Sequence, residues 1–372
     1  MPTETEFAVV GGGVVGLSIA YGLLLNSRKV TLFDDGDMAH RASRGNFGLV
    51  WVQGKGAGMP TYAKWTRASA TRWHSLANQL NTDTGLDVSL QQRGGYSIYL
   101  DEEALEQKVK TLTELKGQLG GDYPFDVLGH NAIKAEEPHI GKEVAGAVLH
   151  HEDGHLNPLT LLKALVTATR LRGLQVVQQK VTAIRPAADG FIIHTSNHQQ
   201  VRSTKVVLAS GLGTKALGET LGFKVPIRPQ RGQVLITEKM PPVINRPSDE
   251  IRQVNEGGVQ IGASAEEVGF NDKETIATTA ELASNAIRQY PILAKAQLIR
   301  SWGALRIMSP DGFPIYQQSR EYPGAYYATC HSGITLAAAH TQLLPEWLCD
   351  DESPITALGI PFHEFSEDRF DV

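Results

Sequence analysis

The most specific chemistry in the chain lies close to its start, in the hexapeptide Gly11-x-Gly13-x-x-Gly16. It follows an apolar run, Phe7 to Val10, and opens an amphipathic helix that continues to Leu25. In a strand–turn–helix of this kind the first glycine permits the tight turn and the second lets backbone approach a pyrophosphate. The third lets helix and strand pack closely, with the phosphates at the helix N-terminus. A second strand, Lys29 to Phe33, ends on Asp34-Asp35, and Asp34 stands eighteen residues after Gly16. An acid about 20 residues beyond the glycines is the expected acceptor for ribose hydroxyls. Asp34 is the candidate, with Asp35 its competitor. The hexapeptide alone would also suit a plain glycine-rich turn; the strand, helix and acid around it favour a dinucleotide.

Two further stretches join this signal. Ser43-Arg44-Gly45-Asn46-Phe47-Gly48 offers small and amide residues along which a cofactor could lie, although by itself it reads as an ordinary turn. Val206 to Thr214 is an apolar strand ending in Ala209-Ser210-Gly211. It suits a second approach to the dinucleotide and a buried strand followed by a loop equally well.

The elements that must position these residues alternate in character. Strand and helix patterns open the chain. An alternating strand then runs from Leu90 to Leu100, and Glu102 to Leu119 reads as a charged surface helix. Ala145 to His150 is a strand, Asp153-Gly154-His155 a turn, and Pro158 to Leu171 a helix with proline in its first turn. A meander over Val176 to Thr195 leads to the strand Lys205 to Gly211. Short strands follow at Gln233 to Thr237 and Gly258 to Gly262, then a polar helix from Ala277 to Tyr290. The last third holds Ser301 to Arg306, a Pro310-Asp311-Gly312 turn, the strand Ala325 to Thr329, and a helix from Gly333 that should stop near Pro345.

Composition mostly excludes. Glycine supplies 37 of 372 residues, about a tenth against an ordinary ~7 %. Lys and Arg number 35 against 40 Asp and Glu, for a net charge of −5, and no basic run points to nucleic acid or anionic lipid. The only cysteines, Cys330 and Cys349, suit a reducing compartment and are too few to hold an iron–sulfur cluster. Acidic residues at Glu4 and Glu6 stand where a secretory signal carries base, and the run Val14 to Leu25 is shorter than the ~20 residues a membrane span needs. The expectation is a cytoplasmic protein with no membrane span, no nucleic-acid partner and no metal.

In order along the chain, these motifs resemble the D-amino acid oxidase and glycine oxidase family of FAD enzymes. The resemblance rests on Gly11-x-Gly13-x-x-Gly16, Val181, Ala209-Ser210-Gly211 and Ile261-Gly262-Ala263-Ser264-x-Glu266. It continues through Trp302-Gly303-x-x-Arg306, Pro310-Asp311-Gly312 and His331-Ser332-Gly333-Ile334-Thr335-Leu336-Ala337. Within the family, Asn46-Phe47-Gly48 and His331-Ser332-Gly333 are most similar to β subunits of opine oxidases, D-hydroxyproline dehydrogenase and hydrogen cyanide synthase.

The resemblance implies an α/β (α+β) fold, with a Rossmann-like FAD-binding domain from 1–88, 146–222 and 300–372. An antiparallel-sheet substrate domain from 89–145 and 223–299 is inserted in it. FAD contacts are implied for Gly11, Gly13, Val15, Gly16, Asp34 and Asp35, and for Ser43, Arg44, Asn46, Phe47 and Gly48. The remaining ones are Val181, Ala209, Ser210, Gly211, Gly303, Arg306, Ser332, Gly333, Ile334 and Thr335. Catalytic roles fall to Arg306, as the fork that binds a substrate carboxylate, to His331 beside the flavin or substrate, and to Arg252, which could take a second carboxylate if it faces the pocket.

The expected reaction is oxidation of a C–N bond in an amino-acid-derived secondary amine, an opine of the octopine or nopaline type. The alternatives are a D-hydroxyproline or proline dehydrogenase β subunit and a stand-alone glycine or sarcosine oxidase. A non-catalytic flavin subunit and an NAD-dependent amine dehydrogenase are the readings from other classes. The implied partners are an α subunit and a [2Fe–2S] subunit or domain, with FMN at a subunit interface as an option. In the similar monomeric sarcosine oxidases a cysteine attaches the flavin, and none lies in the matching stretch Ala304 to Pro314, so the resemblance implies non-covalent FAD. The side chain of the substrate depends on the loops Lys55 to Tyr62 and Pro242 to Asn255.

Overall fold

A computed structural model describes residues 4–36, 42–350 and 358–370; the remaining parts of 1–88 and 300–372 lie outside it. The apolar runs of the sequence become an eight-stranded sheet. Five of its strands are parallel: Gln175–Val177, Val30–Phe33, Glu4–Val10, Gln200–Leu208 and Ala325–Thr329, in that spatial order. Numbered by sequence the order is 3-2-1-4-5, the Rossmann arrangement. It reverses direction between Glu4–Val10 and Gln200–Leu208, where such sheets bind ligands. Ile315–Gln318 adds an antiparallel edge, and the meander Val181–Ala187 and Gly190–Thr195 pairs against the start of Gln200–Leu208.

A second body is built from antiparallel sheets. Gly95–Tyr99, Gly146–His150 and Phe125–Gly129 form a three-stranded sheet, and Ile251–Gln253, Gly258–Gly262, Arg228–Lys239 and Leu298–Met308 a four-stranded one. A bridge between Tyr96 and Ser248 joins them, and Tyr96, Ile98, Ala147 and Leu149 share a core with Leu235, Ile251, Val259 and Ile261. Two strands therefore pair differently from the segment boundaries expected at 145/146 and 299/300. Gly146–His150 and Leu298–Met308 both lie in the antiparallel body, because each finds its hydrogen-bond ladder there.

The helix Pro60–Thr84 has no counterpart in the sequence reading. Tyr62, Trp65, Ser69, Trp73, Leu76 and Leu80 recur at helical spacing and are all buried, with Pro60 in the first turn and Gly85 closing the C-terminus in the left-handed conformation. Its buried face fixes the helix Gly333–Gln342. Ser69 Oγ and Trp73 Nε1 both donate to Thr335 O, at 2.7 and 3.0 Å, and Ala339 N donates to Ser69 Oγ at 3.0 Å. The first helix, Val14–Leu25, packs on the same element so closely that a Cβ on Gly22 would lie 2.2 Å from Thr341 O. Leu344–Asp350 starts a new helix with Pro345 in its first turn, as the expected stop requires.

Candidate active site

The turn after the first strand is held by contacts that only glycine allows. Gly11 has φ +115°, and a Cβ there would lie 2.4 Å from Ala209 O on the neighbouring strand end. A Cβ on Gly16 would lie 1.9 Å from Gly11 O. Gly13 is different, since its Cβ would meet only Ser43 Oγ, at 3.1 Å. Nothing in the protein forbids a side chain there, so the space in front of Gly13 is open. Asp34 closes the turn from the other side: Gly12 N donates to Oδ2 at 2.6 Å and Gly36 N to Oδ1 at 2.9 Å.

Two cavities meet at this turn, and Ser43 lines both. One, of about 390 Å³, lies against Gly12, Gly13, Asp34, Arg44 and Gln178. Arg44 Nε is buried there without a hydrogen-bond partner among the described residues. The other, of about 330 Å³, runs beneath the antiparallel body. Its walls come from Val14 and Val15, from Gly45, Asn46, Phe47 and Trp51, from Ala304 to Ile307, and from Cys330 to Thr335. The N-terminus of Gly333–Gln342 opens on it, and Thr335 Oγ1, which accepts from Trp51 N at 3.0 Å, ties that helix to the cavity wall.

Arg306 enters this second cavity from the strand Leu298–Met308. Nη1 donates to Ser264 O at 2.6 Å and to Arg231 O at 3.2 Å, and the guanidinium lies on the backbone of Gly232, where a Cβ would come within 2.6 Å of it. No carboxylate pairs with Arg306 among the described residues. Glu266, the acid whose charge acts on Arg306, is already bound by the buried Arg231 at 2.6 Å. His331 lines the same cavity, and burial together with Lys55 and Arg306 pushes its pKa well below the ordinary range, so it is a neutral imidazole. Burial pushes the Cys330 thiol up to about 12, which keeps it protonated.

The family model for FAD dependent oxidoreductases matches residues 6–347 of this chain. The opine oxidase B subunit of Rhizobium meliloti is 38 % identical over 370 residues, 99 % of this chain and 98 % of that protein. Its counterpart in Agrobacterium tumefaciens (strain Ach5) is 39 % identical over 345 residues, 92 % and 93 % of the two chains. The chain belongs to the FAD dependent oxidoreductase family. Glycine oxidase from Geobacillus kaustophilus, 23 % identical, shares the fold over the whole of both chains with a TM-score of 0.89.

An FAD dependent oxidoreductase needs a path for a long dianionic cofactor, and the residues present fit one. The open face of Gly13, the orphaned Nε of Arg44 and the helix N-terminus at Val14, where the backbone N–H now donates to Ser43 Oγ at 2.9 Å, meet where a pyrophosphate would lie. Asp34 and Gln178 would hold the adenosine end in the first cavity, and Asn46, Phe47 and Ser332 to Thr335 the flavin end in the second.

Several residues expected at the cofactor line neither cavity. Asp35 is exposed and lines neither cavity. Val181 is buried in the core under the meander, Ala209 and Ser210 abut Gly11, and Gly211 lies near Ile307; none of the four lines either cavity. Gly303 is required by Asp272 O, 2.2 Å from its would-be Cβ. Gly48 is required by Leu156 O, 2.5 Å from its own.

Arg252 does not face the cavity. The strand Ile251–Gln253 turns it inward, where it is 2 % exposed behind Phe47, with Nη1 donating to Leu156 O at 2.9 Å. The condition for its carboxylate role is not met in this arrangement.

Sequence reasoning passed over Trp51, Lys55 and Asp249, which line the cavity, and Arg231, which neutralises Glu266. Lys55 and Asp249 lie in the two loops singled out for substrate choice.

The Arg231–Glu266 pair gives a pH test. Hydrogen bonds from Arg231 hold the Glu266 carboxyl down at about 2, below the ~4.3 of a free glutamate. A depressed carboxylate pKa contributes stability that is full above the unfolded value and is lost as pH falls through the folded one. Melting temperatures of wild type and Glu266→Gln should therefore differ most above pH ~5 and converge towards pH ~2. A gap that stays constant over that range would refute this account of the pair.

Proposed function

We propose that this chain oxidises the C–N bond of an amino-acid-derived secondary amine of the opine type, as the catalytic β subunit of a hetero-oligomer. The observation that carries the reading is the 38–39 % identity to two opine oxidase B subunits over at least 92 % of the chain. The cavity supports it chemically. Arg306 would bind the substrate carboxylate with the guanidinium edge left by its two carbonyl contacts, and so orient the α-carbon.

FAD, when bound, supplies the two-electron acceptor. A hydride leaves the α-carbon, the nitrogen lone pair closes the C=N bond, and the amine enters neutral or loses its proton on the way. His331, held neutral, is a poor base and keeps positive charge away from the amine. Water then adds to the imine and the C–N bond breaks, giving an amino acid and a 2-oxo acid. The electrons would pass to partner chains carrying a second flavin and an iron–sulfur cluster, since this chain has only two cysteines. No helix among the described residues is long and apolar enough to cross a membrane.

An anaerobic panel of octopine, nopaline, D-proline, D-hydroxyproline and sarcosine tests the reading through loss of the visible flavin band. Fastest bleaching by octopine or nopaline is expected. Bleaching confined to sarcosine or the prolines would transfer the activity to those donors, and no bleaching at all would leave a non-catalytic subunit. The cofactor attachment has its own check. With Cys330 protonated and no cysteine between Ala304 and Pro314, acid precipitation should leave a colourless pellet and a yellow supernatant. A yellow pellet would mean a covalent bond.

A further inference from the structure

Two charged groups in the cavity beneath the antiparallel body have no part in the reaction so far. Lys55 reaches it from the loop between Val52 and Pro60, and no carboxylate pairs with it among the described residues. That loop is held in place. Asp153 Oδ1 accepts from Val52 N at 2.5 Å and from Gln53 N at 3.2 Å, Tyr123 Oη accepts from Gly54 N at 3.0 Å, and Lys55 N donates to Val52 O at 2.9 Å. Asp249 comes from the loop between Arg228–Lys239 and Ile251–Gln253, positioned by Ser97 Oγ, which donates to Oδ2 at 2.8 Å, and by its own N–H on Tyr96 O at 3.2 Å.

The cavity thus presents two cations, Arg306 and Lys55, and one carboxyl group, Asp249, which burial pushes above the usual carboxylate range and a bound cation would pull back down. An amino acid with one carboxylate would satisfy Arg306 and leave Lys55 facing only the protein's own acids, Asp153 and Asp249, neither of which forms an ion pair with it among the described residues. Burial, with Lys108 and Arg306 nearby, lowers the Lys55 pKa to about 8, which still leaves an ammonium at neutral pH.

We infer that Lys55 binds a second substrate carboxylate and Asp249 a cationic group of the same substrate. The opine-type amine proposed above would then be held at one carboxylate by Arg306, at the other by Lys55, and at a side-chain cation such as a guanidinium by Asp249. The inference rests on the proposed amine oxidation and names two further residues that recognise its substrate.

Binding to the dithionite-reduced holoenzyme tests it apart from turnover, because a bound amine has no oxidised flavin to accept its hydride. Calorimetric titration would compare N-methylalanine with one carboxylate, N-(1-carboxyethyl)alanine with two, and N-(1-carboxyethyl)arginine with two and a guanidinium. For the wild type each step should tighten binding about tenfold or more, the scale of a charge-assisted hydrogen bond. Lys55→Met should collapse the first step towards a ratio of one and Lys55→Arg should retain it. Asp249→Asn should collapse the second step. Equal binding of the first two ligands by the wild type, or a first step unchanged in Lys55→Met, overturns the Lys55 assignment. A second step unchanged in Asp249→Asn overturns the other half. A binding ladder that behaves as expected in an enzyme whose oxidised flavin no amine bleaches would instead refute the proposed oxidation.

Discussion

Replacement of Arg306 by alanine is expected to lower kcat/KM for a carboxylate-bearing amine by a factor of about 10²–10³, with FAD content and melting temperature close to wild type. The magnitude follows from the arrangement around the guanidinium. Its Nη1 is occupied by two backbone carbonyls, and Glu266 is drawn off by Arg231, so the charge is left for a ligand in the cavity. Removing one partner of a buried pair typically costs about 3–5 kcal/mol, because the other is stranded without water. Arg306→Lys keeps the charge and loses the planar fork, so an intermediate loss, about tenfold, is expected. Steady-state kinetics on the best donor of the panel would read both variants. A value for the alanine variant within about threefold of wild type, less than a single ordinary hydrogen bond contributes, would show that the carboxylate is bound elsewhere.

How far the sequence could lead differs from residue to residue, and the difference is one of locality. Gly16 and Asp34 were legible because their partners, Gly11 O and Gly12 N, lie within one strand–turn–helix–strand unit, whereas Gly11 was legible from the motif although the backbone that demands it, Ala209 O, is far away in sequence. Arg306 was legible through the Trp302-Gly303-x-x-Arg306 motif, although its isolation depends on a competing ion pair that no local pattern displays. Arg252 had a carboxylate role only on condition that it faced the pocket, and that condition could not be settled beforehand because strand alternation does not say which side holds the cavity. Lys55 and Asp249 reach the cavity through separate loops anchored by Asp153, Tyr123, Tyr96 and Ser97, and such long-range contacts leave no periodic trace. The strands Gly146–His150 and Leu298–Met308 failed for the same reason, since sheet membership is a matter of distant partners. The helix Pro60–Thr84 is another case: its apolar stripe, its proline and its closing glycine were all present in the sequence.

The glycine turn yields a pair of substitutions with opposite signatures. Gly16→Ala places a Cβ 1.9 Å from Gly11 O, a backbone atom that cannot move without opening the turn and the packing of Val14–Leu25 on the first strand. Forced overpacking of this sort costs about 1–3 kcal/mol or more, so the variant should melt lower and carry little flavin. Gly13→Ala meets only Ser43 Oγ at 3.1 Å, a side-chain atom that need give by only a few tenths of an ångström while still accepting from Val14 N, and the φ of −78° at Gly13 is ordinary for alanine. The folded apoprotein should therefore melt within a few degrees of wild type. If the open face of Gly13 is where the cofactor phosphates lie, the added methyl occupies that space and FAD affinity should fall by about tenfold or more, as when a well-placed hydrogen-bonding contact is lost. The ratio of visible to ultraviolet absorbance after purification, and FAD titration of the apoprotein, separate the two effects. A Gly13→Ala protein that holds FAD as tightly as wild type would move the pyrophosphate away from this turn. One that unfolds would mean that the protein itself, and not the cofactor, demands glycine at that position.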